Sequence, residues 1–143
     1  MIPDARRRLE DLLDREIELA GVLSSTLAAE KAALTGDSPE AVEKNAAEKI
    51  RVLEILEKLD QERRTLCESP AALGIAATVV ERWRKLMELM AGCRTANEVN
   101  GHIIHVRQHQ IRQLIDIVRG GPSITYDPQG KTFAKALRAL ARA

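Results

Sequence analysis

The stretch "VVERWRKLMELMAGCRTANEVNGHIIHVRQHQIRQLIDIV", residues 79–118, decides the fold. Alternating steps of three and four residues through it meet Trp83, Leu86, Met90, Cys93, Asn97, Asn100, Ile104, Arg107, Ile111, Leu114 and Val118, a seam of about five heptads. Leu89, Ala96, Ile103 and Ile117 lie beside that seam and widen the apolar face, which suits packing against two neighbouring helices. The pattern predicts one helix that spans roughly 60 Å at 1.5 Å per residue. At its centre Asn97, Asn100 and Gly101 interrupt an otherwise apolar face.

Two further helical blocks precede it. From about Asp4 to Leu34, Leu9, Leu12, Leu13, Ile17, Ala20, Leu23 and Leu27 recur at helical spacing. "TGDSPEA" stops this block: Gly36 suits a C-terminal cap, Asp37 or Ser38 an N-cap, and Pro39 the first turn of a new helix. Asp37 with Glu40 also fits a capping-box variant. The second block, Pro39 to Cys67, carries Val42, Ala46, Ile50, Leu53, Leu56 and Leu59 on one side. Its pairs Glu40 with Lys44, Glu54 with Lys58 and Asp60 with Arg64 stand four apart in the favourable order and support a solvated surface. "ESP", residues 68–70, supplies a second break.

After Val118 the helical period ends. "RGGPSITYDPQGK" reads as an extended or turning hinge. "KTFAKALRALARA" then places Phe133, Leu137 and Leu140 on one side of a short helix and Lys135, Arg138 and Arg142 on the other. The expected architecture is all-α. It is an elongated antiparallel bundle of three long helices with coiled-coil-like packing over residues 1–119, followed by a hinge and a short amphipathic helix over 120–143.

Composition agrees. The 143 residues are 45% hydrophobic and 2% aromatic, so the core is built from Leu, Ile, Val and Ala. The 22 basic and 21 acidic residues are mixed along most of the chain, which argues against nucleic acid as a partner. From Arg119 onward the side chains sum to +4, and the rest to −3. Cys67 and Cys93 lack CxxC spacing and read as buried free thiols. No apolar run is long enough to span a bilayer, and the N-terminus lacks a signal-peptide core, so the expected location is the cytoplasm without stable membrane insertion.

His102, His105 and His109 share one helical stripe with Glu98, a tempting metal signal. The seam places them outward. The Glu-x-x-His pairs of di-iron bundles are also missing, so no metal or cofactor is expected. No GxSxG, phosphate-binding glycine loop or HExxH occurs, and the carboxylates are spread as helix partners, so the chain does not read as an enzyme. The Asn97, Asn100 and Gly101 cluster has two open readings. One is a register device, with buried Asn fixing alignment and Gly allowing close helix approach. The other is a direct binding role.

The order of these features resembles the FlgN family of flagellar type III export chaperones. "NEVNGHII" (Asn97, Asn100, Gly101, Ile103, Ile104) followed by "TYDPQG" (Thr125, Tyr126, Gly130) is similar to that family's pattern. "EKAALTGD" (Glu30, Lys31, Leu34, Asp37) and Lys49, Leu53, Leu56 and Arg63 agree more loosely, and residues 68–80 carry none of it. The resemblance implies a small cytoplasmic chaperone that binds hook–filament junction proteins stoichiometrically, keeps them unassembled and delivers them to the export apparatus. It also implies that the C-terminal portion binds cargo. Candidate partner-binding residues are then Asn97, Asn100, Gly101, Tyr126, Gly130, Phe133, Leu137 and Leu140. The rival reading is a structural coiled coil whose third helix self-associates as a homo-oligomer, with Asn97 and Asn100 setting its state.

Overall fold

The computed structural model describes residues 2–68 and 76–120. They form three helices, α1 (Ile2–Thr35), α2 (Pro39–Cys67) and α3 (Ala77–Val118), with no strand among them. The expected C-terminal helix and all of the hinge beyond Gly120 lie outside the described residues.

Local chemistry sets the helix ends. Gly36 donates its N–H to the Ala33 carbonyl at 3.2 Å as α1 closes. Of the two cap candidates, Ser38 takes the position: its backbone is extended and its hydroxyl accepts from the Ala41 N–H at 3.2 Å. Pro39, which has no N–H to leave unsatisfied, fills the first turn. Beyond α3, Gly120 adopts φ 69, a left-handed conformation that glycine reaches without steric cost, and donates to the Ile117 carbonyl at 3.1 Å.

The chain divides into two compact units, residues 1–98 and 99–143. In the first unit α1, α2 and the N-terminal half of α3 pack side by side. Glu16 meets Arg63 and Glu30 meets Lys49, so α2 runs antiparallel to α1. Glu10 meets Thr78 and Asp14 meets Arg82, so α3 returns parallel to α1. The core consists of two clusters: Leu23, Leu27, Val52, Leu56 and Cys93 form one, and Leu9, Leu13, Ala20 and Leu86 the other. Each fully buried leucine contributes about 1.5–3 kcal/mol of transfer free energy.

The inner face of α1 is the apolar stripe expected of it, with Ile17 half-buried and the other six residues buried. Those of α2 and α3 are rotated from expectation. In α2 Val52 is buried, while Ile50 and Leu53 are exposed. The reason is that Lys49 and Arg63 occupy inward positions, which a count of apolar residues alone passes over. In α3 Leu86 and Cys93 are buried, but the inner face continues through the half-buried Leu89 and Ala96, while Trp83 and Asn97 are exposed.

The second unit, as described, is the C-terminal half of α3. Asn100 and Gln110 are buried and Ile103, Val106 and Ile117 half-buried. Ile104, Ile111, Leu114 and Val118, expected in the seam, are exposed.

Candidate functional site

Two polar ties, each drawing on all three helices, hold the first unit in register. In one, the Lys49 ammonium on α2 donates to the Glu30 carboxylate on α1 at 3.2 Å and to Asn97 Oδ1 on α3 at 2.6 Å. In the other, the Arg63 guanidinium on α2 donates to the Glu16 carboxylate on α1 at 3.0 Å and stacks 4.7 Å from the centroid of Trp83 on α3. Asp60 closes a further ion pair with Arg63. The two ties are separated by fourteen residues on every helix: 16 and 30, 49 and 63, 83 and 97. That is two heptads, so the same geometry recurs after four helical turns. Midway stand Leu23, Leu56 and Met90, an apolar step between two polar ones.

The ties cost desolvation. Glu16 is only 2% exposed, and burial pushes its carboxyl above its usual range although Arg63 beside it pulls the other way. An unpaired buried carboxylate here would be costly, so Arg63 is needed for the position as much as for attraction. No buried side-chain N or O atom among the described residues lacks a partner.

The polar cluster at the centre of α3 is divided by these observations. Asn97 belongs to the first unit and acts as the acceptor for Lys49. Asn100 belongs to the second and is 1% exposed. Gly101 is exposed, and a Cβ added there meets nothing within 4 Å, so among the described residues it serves no close helix approach. Instead it begins a surface line. At steps of three and four from Gly101 come Ile104, Gln108, Ile111, Ile115 and Val118, all exposed, with Leu114 beside them. This strip covers the last four turns of α3, where Ile111 is 54% and Val118 79% exposed. Gln108 interrupts the strip, and beyond it Ile111, Leu114, Ile115 and Val118 form contiguous exposed apolar surface, which marks an interaction site more often than a free surface.

His102, His105 and His109 face outward as the heptad count placed them. Among the described residues no group of three or more His, Cys, Asp or Glu side chains is arranged to hold a metal ion. Both cysteines are free: Cys93 is buried, which raises its thiol pKa, and Cys67 is half-buried. No helix among the described residues is long and apolar enough to cross a membrane. Tyr126, Gly130, Phe133, Leu137 and Leu140 lie outside the described residues.

Glu30, Lys49 and Arg63 stand out in the sequence only as positions of the looser N-terminal family resemblance, and nothing there marks them as inward charges. Glu16 was missed. The available signal was its spacing of fourteen residues from Glu30, matched by the same spacing between Lys49 and Arg63.

The described residues define a helical bundle with an exposed apolar strip on α3, the longest of their three helices. The chain belongs to the FlgN family: the family model described as FlgN protein matches residues 1–133. Neither curated proteins nor solved structures yield a match to it.

Proposed function

We propose that the protein is a cytoplasmic flagellar export chaperone, which binds hook–filament junction proteins stoichiometrically and delivers them to the type III export apparatus. Family membership suggests the chaperone role. The observation that carries the binding mode is the strip Ile104, Ile111, Ile115 and Val118, exposed on a helix that ends only two residues before Gly120. A subunit awaiting export carries apolar helical faces that later form its assembly contacts. Laying such a face along a complementary helical strip hides both surfaces and requires no chemistry. The sequence after Gly120 adds a second apolar series, Phe133, Leu137 and Leu140, preceded by Tyr126 and Gly130, and extends the surface offered to cargo. Asn100 and Gly101 mark the start of the strip, and Asn97 sits one turn before it.

The test is co-purification from the native cytoplasm with the full chain and with a form lacking Gly120 to Ala143. Junction proteins are expected with the full chain and lost from the shortened one, whose helicity is retained. The rival reading, self-association through α3, draws on the same exposed strip. Light scattering across concentrations decides for it if Asn97→Leu with Asn100→Leu alters the oligomer number and leaves cargo binding unchanged.

A further inference from the structure

A second apolar surface lies in the first unit, separate from the strip on α3 and independent of the proposed function. Between α2 and α3 runs an open groove of about 500 Å³. Leu56 and Leu86 are its buried floor, and Leu53, Met87 and Met90 line its walls. Leu53 and Met87 are 42% and 40% exposed, large side chains that the bundle leaves uncovered. Arg63 also lines it, and Trp83 stacks on that guanidinium.

We propose that this groove receives an amphipathic helix of a partner protein, one with an apolar stripe at three- and four-residue spacing flanked by Lys or Arg. The walls are two antiparallel helices, and a third helix laid between them buries its stripe against Leu53, Met87 and Met90. The methionines adapt their shape to differing side chains, which suits a site for exchangeable segments. Charge sets the sign of the partner. The groove is lined by three carboxylates, Glu16, Glu57 and Asp60, against one guanidinium, Arg63. Glu16 and Asp60 are compensated by Arg63, and Asp60 also by Arg64, whereas Glu57 is exposed and in none of the ion pairs among the described residues, so it is the carboxylate that sets the sign. The same carboxylate disfavours a second copy of this chain, because a two-fold pairing of the groove with itself brings Glu57 against its own equivalent.

The probes are two synthetic helical peptides with identical leucine spacing, one flanked by lysines and one by glutamates. Each is titrated into the full-length protein, with binding read from the emission of Trp83, the sole tryptophan of the chain. The lysine peptide is expected to bind saturably and at least about tenfold more tightly than the glutamate peptide. Leu53→Ser with Met87→Ser weakens it by about tenfold or more, while Glu57→Lys, at an exposed position, reverses the preference between the peptides. Equal binding of both peptides, or indifference to Leu53→Ser with Met87→Ser, overturns the proposal. So does a dimer that these two substitutions dissolve, which assigns the groove to a second copy. A tenfold gain in lysine-peptide affinity from Phe133→Ser with Leu137→Ser in the full chain overturns it in favour of the chain's own C-terminal segment.

Discussion

Lys49 on α2 and Asn97 on α3 are joined by a hydrogen bond of 2.6 Å, and the same ammonium reaches Glu30 on α1. A single cation therefore fixes the register of three helices at one level. Fourteen residues away along each helix, Arg63 does the same between Glu16 and Trp83. Apolar packing alone tolerates sliding by a heptad, because one leucine layer resembles the next. Two polar ties at fixed positions remove that freedom.

Lys49→Met takes one cation from the Glu30 carboxylate and the lysine donor from Asn97. We expect a loss of about 1–3 kcal/mol in urea unfolding. Asn97→Leu removes only one acceptor from a cation that keeps Glu30, and costs about 1 kcal/mol or less. In a double-mutant cycle the two changes are non-additive, whereas either combined with Glu16→Gln is additive, since that tie lies four turns away.

Arg63→Met is the more damaging change, because Glu16 is buried more deeply than Glu30. Loss of about 3–5 kcal/mol is expected, with altered Trp83 emission. Replacing the pair together, Glu16→Leu with Arg63→Met, recovers much of that loss, since the buried carboxylate is then gone and Asp60 keeps its ion pair with Arg64 at 2.9 Å.

The Glu16 carboxyl titrates above its usual range because burial disfavours its charged form. The folded chain therefore holds this proton more tightly than the unfolded chain, and ionising Glu16 costs stability. That cost is fully present above its raised pKa and vanishes as pH falls below the ordinary carboxylate value. Urea midpoints measured from about pH 7 down to about pH 4 should show wild type gaining on Glu16→Gln. A carboxyl NMR titration with its midpoint at or below the ordinary glutamate value contradicts the assignment.

Ile111→Ser with Ile115→Ser changes two exposed side chains on the strip of α3. Stability should move by no more than about 0.5 kcal/mol per site. Recovery of cargo from the native cytoplasm should fall, which separates a binding surface from a packing one.

Much of this was legible in the sequence. The bounds of α2 follow from Pro39 and the break after Cys67, and the leucine pattern of α1 identifies its inner face. The inner faces of α2 and α3 were not legible in the same way. Heptad counting treats polar residues as outward, yet Glu16 and Glu30 are buried, and their partners Lys49 and Arg63 face them. Conversely Ile50, Leu53, Ile104 and Ile111 are apolar and exposed. A helix that binds partners carries apolar residues on an outer face too, so periodicity alone does not show which stripe the protein keeps for itself. The histidines of α3 were placed correctly because they lie outside both stripes. Asn97 was readable as a register residue in kind, but its partner is a lysine from another helix instead of a second asparagine.

Stoichiometric cargo binding through α3 and the segment after it is measured by calorimetric titration of the full-length protein with a purified hook–filament junction protein. Saturable binding at a fixed simple ratio is expected, weakened at least about tenfold by Ile111→Glu with Ile115→Glu while unfolding is unchanged. Absence of binding, or binding indifferent to those two substitutions and to removal of Gly120 to Ala143, would contradict it.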